Sequence, residues 1–278
     1  MDIVRDKTFA FGPYIGDFEN EVMEFIPHVN WVKDTFKLDK FYVNSHYNRC
    51  FLYEKDAVFL PVSFFLTNTE DKQNKHKHEL INMKEYNKLV KNFNRFILNN
   101  KVKKKDLLMF NINYTDKGKI PLVQKKFKQI HIDSDFPSKI VFIPSKYDTK
   151  KNITNLYKLL KNELKRELIV IGDKKCHLRK ENIIMKNDDY VENGYTYIMN
   201  YINNARLIIT PNSVWAFLAN LQRKNVFSWG NNNSLYKEQG IYGFNNEKSI
   251  IIPQNNYEVL YKHIMKVIEN LSEVNETC

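Results

Sequence analysis

Long apolar runs and paired cysteines are both missing from this chain of 278 residues. The longest strongly apolar stretch, Ala57–Leu66, is ten residues long and contains Pro61, so it is too short to cross a bilayer. The first seven residues carry four charges, and we therefore expect no secretory segment at the start. The three cysteines form no Cys-x-x-Cys pair, which argues against a disulfide framework and a zinc ribbon. These absences predict a reduced, cytoplasmic protein.

Glycine is also scarce, with 8 residues, and the glycines form no phosphate-binding fingerprint. The chain has neither Gly-x-Gly-x-x-Gly nor a lysine-containing phosphate loop, which disfavours a dehydrogenase and an NTPase. Two imidazoles stand two residues apart in Lys75-His76-Lys77-His78, a pattern more typical of a charged loop than of a metal site. We therefore expect neither a metal ion nor a cofactor.

Positive charge is in excess, because 43 Lys and Arg stand against 32 Asp and Glu, a net charge of +11. The excess is concentrated in residues 61–130, which hold 16 basic and 6 acidic side chains. Such a field attracts nucleic acid, anionic lipid headgroups or nucleotides. The lysines that suggest this are Lys72, Lys75, Lys77, Lys101, Lys103, Lys104, Lys105, Lys125, Lys126 and Lys128. The alternative is an AT-rich genome, which places Lys and Asn at neutral surface positions whatever the function.

The second half of the chain alternates apolar runs with segments of helical spacing. The predicted strands are Lys139–Pro144, Glu167–Gly172, Asn182–Met185, Arg206–Thr210, Asn225–Trp229 and Ser249–Pro253. The predicted helices are Asn152–Arg166, Tyr195–Ala205, Val214–Gln222 and Tyr257–Leu271. This alternation is typical of right-handed βαβ units around a parallel sheet, and it predicts a Rossmann-like domain over residues 131–278.

The first half shows the same alternation less clearly, and it predicts a second Rossmann-like domain over residues 1–130. Its predicted strands are Thr8–Gly12, Lys40–Asn44, Ala57–Phe65 and Asp106–Asn113, and its predicted helices are Glu19–Phe36 and Lys84–Leu98. Pro27 lies inside the first helix and should kink or split it. The predicted fold class is α/β, with two Rossmann-like domains facing across a cleft. Ligands of such folds bind at the carboxyl ends of the strands.

A turn with two glycines between the first strand and the first helix is one candidate site. It reads Gly12-Pro13-Tyr14-Ile15-Gly16-Asp17-Phe18-Glu19-Asn20-Glu21. Gly12 and Gly16 allow a tight turn and a close approach to a ligand, and Asp17 should point into the predicted cleft. Gly12, Tyr14, Gly16 and Glu19 belong to this candidate loop. The alternative role for Asp17 is an N-cap that accepts backbone N–H bonds of the helix.

Two segments of the second half form the other candidate site. In Pro211-Asn212-Ser213-Val214 a strand passes into a helix, whose N-terminus supplies N–H groups and partial positive charge for a diphosphate. The loop Ser145–Lys151 carries lysines, which bind phosphate as point charges. The alternatives are an ordinary Asn/Ser helix cap and a solvated lysine loop.

These motifs carry a remote family resemblance. The first half has a strand, then Gly16-Asp17 and an apolar residue, then a helix with an early proline. In the second half a strand is followed by Asn212-Ser213 and, further along, by Leu218-Ala219. This arrangement resembles the ADP-heptose:lipopolysaccharide heptosyltransferases, which have the two-domain GT-B fold. Val214 and Phe217 stand where that family has glycine and histidine.

The resemblance implies a role for each candidate residue, and it places Gly12, Tyr14, Gly16 and Glu19 in an acceptor-side loop. Asp17 corresponds to the catalytic base, and Ser145 with Lys146 or Lys150 corresponds to the residues that hold the donor phosphates. Glu192, just before the predicted helix Tyr195–Ala205, is a candidate partner of the donor ribose. The donor-binding candidates are together Ser145, Lys146, Lys150, Glu192, Asn212, Ser213 and Val214.

We therefore predict a glycosyltransferase that moves a hexose or heptose from a nucleotide-diphosphate sugar to a hydroxyl of a polyanionic acceptor. The family implies inversion and a bacterial surface saccharide such as lipooligosaccharide, while a modified base in DNA stays open as acceptor. Lysines and helix N-termini should stabilise the leaving group without a metal. Peripheral contact with an anionic membrane also stays open. The alternative function is a non-catalytic nucleic-acid-binding protein that uses the Lys-rich segment 72–128.

Overall fold

The computed structural model describes residues 6–16, 18–53, 55–65, 83–110, 139–144, 149–172, 177–178, 180–181, 183, 190–211, 213–230, 249–253 and 256–276. The chain divides into two compact units, Met1–Lys128 and Gln129–Cys278. Each unit contains one parallel sheet.

The first unit contains a four-stranded sheet in the order β3-β2-β1-β4. The strands are β1 Thr8–Phe11, β2 Phe41–Ser45, β3 Ala57–Pro61 and β4 Leu107–Phe110. Helix α1 is Ile26–Phe36 and helix α2 is Met83–Asn99. Short 3-10 segments are Tyr47–Leu52, Val62–Phe65 and Lys104–Asp106. All neighbouring strands are parallel, so their carboxyl ends lie at one edge of the sheet.

The core of the first unit forms because apolar residues recur at the helical and strand periods. Phe9, Ala10 and Phe11 are at most 1% exposed, since β1 is a central strand that is covered on both faces. Leu89, Phe93 and Ile97 share one side of α2 and are fully buried among residues of β1 and of Val62–Phe65. Each such burial contributes about 1.5–3 kcal/mol relative to exposure.

The second unit contains a five-stranded parallel sheet in the order β6-β5-β7-β8-β9. The strands are β5 Ile140–Phe142, β6 Leu168–Val170, β7 Leu207–Pro211, β8 Val226–Trp229 and β9 Ser249–Ile252. The helices are α3 Lys150–Leu164, α4 Tyr190–Asn204, α5 Val214–Leu221 and α6 Tyr257–Glu276. Of the predicted strand Asn182–Met185, all but Ile183 lies outside the described residues.

Four element predictions were wrong in detail, and the simplest case is the helix predicted over Tyr257–Leu271, which ends five residues later, at Glu276. The segment Glu19–Phe36 is no continuous α-helix, because Phe18–Asn20 is followed by a π-helical turn, Glu21–Phe25, before α1 starts. Pro27 stands in the first turn of α1, where its missing N–H is tolerated, so the helical segment is split just before it and the proline does not kink a helix interior. The strand predicted over Ala57–Phe65 ends at Pro61, because β3 is an edge strand and proline cannot donate to a ladder. The helix predicted over Tyr195–Ala205 begins earlier, at Tyr190, so Glu192 belongs to a helix and not to a loop before one.

The α/β class with two Rossmann-like units is confirmed. Among the described helices, none combines the length and the apolar content that a membrane span needs.

Candidate functional site

The turn after β1 requires a residue without a side chain. Gly12 has φ +101°, in the left-handed region that favours glycine, and a Cβ there would clash with the backbone oxygen of Asn44. The Gly12 N–H donates to Phe110 O at 3.1 Å, and the Tyr14 N–H donates to Asn44 O at 2.8 Å. The turn is thus bonded to both strands that flank β1, which fixes it at the carboxyl edge of the sheet.

Tyr14 of the predicted acceptor-side loop is a core residue. Its side chain is 2% exposed, and its ring lies 4.8 Å from that of Phe25. Tyr14 therefore fixes the loop to the core of the first unit. Asp17 lies outside the described residues, and so does the side chain of Glu19.

Next to this turn lies a buried carboxylate that belongs to the predicted motif but to which the sequence analysis gave no role. Glu21 is fully buried in the π-helical turn. Arg49 Nη1 donates to its Oε2 at 2.5 Å, Tyr53 Oη donates to its Oε1 at 2.5 Å, and Ser45 Oγ donates to the same Oε1. Burial and the negative charge of Glu21 raise the pKa of the Tyr53 phenol well above its usual value, so the phenol stays a donor.

The same cluster also holds the peptide before residue 17. Arg49 Nη1 donates to Gly16 O at 2.9 Å, and His46 Nε2 lies 3.2 Å from that oxygen, which is hydrogen-bonding distance when the nitrogen carries the proton. Arg49 and His46 are each 3% exposed. We call Glu21, Ser45, His46, Arg49 and Tyr53 the Glu21 cluster.

In the predicted donor-binding segment, hydroxyl groups lie beside the N-terminus of α5. Ser213 is the N-cap residue, but its side chain makes no capping bond. Its Oγ lies 3.4 Å from Thr210 Oγ1, which donates to Ile143 O at 3.0 Å. Ser228 is paired with Thr210 in register, is fully buried, and its Oγ has no hydrogen-bond partner among the described residues. An N-terminus of this kind favours an anion.

The other donor candidates are placed in part. Val214 is the first residue of α5 and is 8% exposed, because this helix is almost wholly buried. Lys150 is the exposed first residue of α3, whose N-cap Thr149 accepts a bond from Asn152 N at 3.3 Å. Ser145, Lys146 and Asn212 lie outside the described residues, as does the side chain of Glu192.

Helix α2 carries basic residues along its exposed side, opposite the buried side. We call these the α2 basic face: Lys84, Lys88, Lys91 and Arg95. Their spacing of four, three and four residues is the period of one helical side, which is the signal that the sequence analysis did not use. Four further exposed lysines follow the helix: Lys101, Lys103, Lys104 and Lys105. The other lysines of the predicted basic segment lie outside the described residues.

Comparison with solved structures finds a similar fold in a bacterial enzyme. The E. coli heptosyltransferase WaaC with ADP matches with a TM-score of 0.52 and 8% sequence identity, over 95% of this chain and 99% of that one. At such low identity the likeness establishes the fold alone.

Two further structures are less similar. One is a protein of Listeria monocytogenes described as a UDP-N-acetylglucosamine 2-epimerase, with a TM-score of 0.34, 11% identity, and 93% and 73% of the two chains covered. The other is S. aureus MnaA with UDP, with a TM-score of 0.33, 13% identity, and 93% and 74% covered. No protein-family profile and no curated protein match the chain. The chain thus has a two-unit α/β fold of the GT-B type, similar to that of a heptosyltransferase, which confirms the predicted fold class and, at the level of the fold, the resemblance.

Proposed function

We propose that this protein is a glycosyltransferase that moves a sugar from a nucleotide-diphosphate sugar to a hydroxyl group of a polyanionic acceptor. The observation that carries the proposal is the turn after β1. This turn is bonded to both flanking strands at the carboxyl edge of the sheet, and its Gly16 carbonyl is held by buried side chains directly before an aspartate in the sequence. Such edges are where Rossmann-like sheets bind ligands.

Asp17 is the proposed general base. Sugar transfer passes through an oxocarbenium-like state, and the acceptor hydroxyl loses its proton as it attacks the anomeric carbon. A carboxylate at hydrogen-bonding distance from that hydroxyl accelerates the step by about 10²–10⁴-fold. Direct attack of the acceptor from the face opposite the leaving group gives inversion.

The donor diphosphate is proposed to bind at the start of α5. The leaving nucleoside diphosphate gains negative charge, which the helix N-terminus, the Ser213 hydroxyl and Lys150 would stabilise. Ser145, Lys146 and Asn212 complete the proposal from the sequence, with Glu192 as the proposed ribose partner. Because the heptosyltransferase of similar fold was solved with ADP, ADP and ADP-sugars are the first ligands to test.

Independence from metal ions is part of the proposal, and the sequence offers a sharp test of it. Asp133-Ser134-Asp135 places two carboxylates two residues apart, and carboxylates are the ligands that Mg²⁺ prefers. We expect transfer to continue at the same rate in excess EDTA. A rate that falls in EDTA, returns with Mg²⁺ and is lost in Asp133→Asn would assign the metal to this pair instead.

The α2 basic face supports a polyanionic acceptor. Its four cations and the four lysines after the helix share one stretch with only two acidic residues, Glu85 and Asp106, and Asp106 pairs with Lys7 at 3.2 Å. A phosphorylated saccharide at an anionic membrane surface fits this charge, and the notion of peripheral membrane contact rests on the same face. The same observation also favours the second candidate function, a nucleic-acid-binding protein without catalysis.

The deciding experiment combines a donor panel with a thermal-shift panel. Mass spectrometry should detect hydrolysis or transfer of one nucleotide-sugar, and that nucleoside diphosphate should raise the melting temperature. Asp17→Asn should abolish transfer while nucleotide binding survives, whereas the matched variant Asp39→Asn, an exposed aspartate of the same unit, should behave as wild type. Wild-type transfer by Asp17→Asn would remove the base role. Stabilisation by oligonucleotides alone would favour the second function.

A further inference from the structure

We propose that the Glu21 cluster is a positioning scaffold that sets the place of residue 17 for proton transfer. The proposal rests on the function proposed above, since it gives Glu21, Ser45, His46, Arg49 and Tyr53 a role in the rate of that reaction. None of these side chains is proposed to touch the substrate; they act through the backbone on either side of Asp17.

Arg49 contacts the chain before and after residue 17. Its Nη1 donates to Gly16 O at 2.9 Å, and its Cζ lies 5.8 Å from the centroid of the Phe18 ring, which is 5% exposed. The same Nη1 donates to Glu21 Oε2 at 2.5 Å. One guanidinium therefore ties together the residue before Asp17, the residue after it, and the carboxylate one turn further along.

The rest of the cluster keeps the guanidinium in place. Ser45 and Tyr53 both donate to Glu21 Oε1, so this oxygen is held from two sides and Oε2 stays directed at Arg49. His46 reaches the Gly16 oxygen from the residue that follows β2. The π-helical turn Glu21–Phe25 places Glu21 in the interior, and π-helical turns inside helices occur frequently at functional sites.

Stability alone is a poor explanation for such a cluster. The side chains of Arg49 and Glu21 are 4% and 0% exposed, and removing two charges from water is so costly that apolar replacements of buried pairs are often neutral or stabilising. Arg49 Nε is also buried without a hydrogen-bond partner among the described residues. The cluster therefore fixes one backbone geometry around residues 16 and 18–21, although Arg49 Nε gains no partner among the described residues.

The first test is Arg49→Lys, which keeps the positive charge. Both bonds come from Nη1, and the ammonium of lysine is a hydrated point charge on a shorter, flexible stem, so it should not hold the Gly16 carbonyl and the Glu21 carboxylate in the same places. We expect kcat for transfer to fall by about 10²-fold, because a displacement of about 1 Å has this effect on positioned groups. The KM for the donor should stay within about twofold, since uniform binding of the donor is unchanged. The matched control is Asp56→Asn, which removes the 2.8 Å pair with Lys33 in the same unit and should leave kcat unchanged.

The second test does not depend on activity. Hydrogen–deuterium exchange, followed by mass spectrometry on peptides covering residues 14–20, should rise in Arg49→Lys and stay at the wild-type level in Asp56→Asn. Tyr53→Phe removes one bond to Glu21 and keeps the ion pair, so it should show the same two effects at smaller size. Tyr53→Phe replaces Arg49→Lys in both tests if Arg49→Lys does not fold.

The outcomes separate this proposal from the proposed function. A wild-type chain that transfers no sugar overturns the function, while the exchange experiment still decides whether the cluster holds segment 16–21. If Arg49→Lys and Tyr53→Phe only lower the melting temperature, and both kcat and exchange match Asp56→Asn, the cluster is merely structural and the positioning role is wrong.

Discussion

Replacing Glu21 by alanine should destabilise the first unit strongly. The substitution leaves the Arg49 guanidinium, 3% exposed, without its carboxylate, and it removes the oxygen to which the Ser45 and Tyr53 hydroxyls donate. Breaking a buried ion pair by removal of one partner costs about 3–5 kcal/mol. Native domains have only about 5–15 kcal/mol of stability in total, so the loss should be visible in any unfolding measurement.

Urea unfolding gives this loss a magnitude. With an m-value of about 2 kcal/mol per molar, a loss of about 4 kcal/mol lowers the midpoint by about 2 M. Circular dichroism and tryptophan fluorescence report both units, because Trp31 lies in the first unit and Trp215 and Trp229 lie in the second. Asp56→Asn is the control, because an ion pair with a partner that is 45% exposed contributes about 0–1 kcal/mol.

A double variant tests the reasoning behind that number. Glu21→Leu with Arg49→Met replaces both charges by apolar side chains and should be more stable than Glu21→Ala by about 2 kcal/mol or more, since no unpaired charge stays buried. Transfer should nevertheless remain low, because Gly16 has lost the Arg49 donor. A double variant as unstable as the sum of its single substitutions would show that the two charges are not coupled, and the account of a buried pair would be wrong.

Three further predictions concern other parts of the chain. Gly12→Ala should lower the melting temperature, since φ +101° disfavours a side chain by about 1–2 kcal/mol and the new Cβ meets Asn44 O. Burial lowers the pKa of His28, so the neutral imidazole contributes its full stability above the unfolded pKa of about 6.5. This contribution falls as the pH drops toward the folded pKa. Between pH 7.5 and about 5.5, the free energy of unfolding should therefore decrease less in His28→Leu than in the wild type. Changing the α2 basic face to glutamine should weaken binding to anionic vesicles or acceptors and flatten its salt dependence, with about one unit of slope lost per cation for nucleic acid. As a control, four lysines of the second unit are changed to glutamine, and this should have no such effect. They are the exposed residues Lys158, Lys161, Lys262 and Lys266.

Much of the fold could be predicted because buried strands appear in the sequence as local runs of apolar residues. The run Lys139–Pro144 contains a central strand of the second sheet, and Arg206–Thr210 covers all but the last residue of another. Both strands are covered on both faces and are therefore apolar at consecutive positions. The helix over Lys84–Leu98 was equally accessible, since its buried residues recur at the helical period. What failed was the detail of element ends, where Pro61 and the π-helical turn depend on neighbouring strands.

The Glu21 cluster could not be predicted in the same way, because its contacts join residues far apart in sequence. Glu21 and Arg49 are 28 positions apart, and only the folding of β2 beside β1 brings them together. A weaker signal was present nevertheless. Glu21 stands on a helix side whose other members, Phe18, Val22 and Phe25, are all apolar, and a charge in such a place needs a buried partner. The sequence alone therefore indicates that Glu21 has a buried cationic partner, but it does not identify Arg49.

The two tasks proposed for the candidate sites place different demands on the turns that carry them. Proton transfer requires the base within about 0.5 Å of hydrogen-bonding distance, so a tightly bonded turn is needed before Asp17. Stabilisation of a diphosphate is electrostatic and falls only as the inverse of distance, so a helix N-terminus serves even where Ser213 makes no capping bond.

This difference predicts opposite kinetic effects for two substitutions. Ser213→Ala should raise the KM for the donor by about tenfold, the effect of one lost hydrogen bond to a charged group, and leave kcat at saturating donor nearly unchanged. It should hardly alter the melting temperature, because the Ser213 side chain makes no capping bond. Arg49→Lys should do the reverse and lower kcat at constant KM. Steady-state kinetics over a range of donor concentrations measure both; a loss of kcat in Ser213→Ala with KM unchanged would mean that the start of α5 acts on the chemical step and not on donor binding.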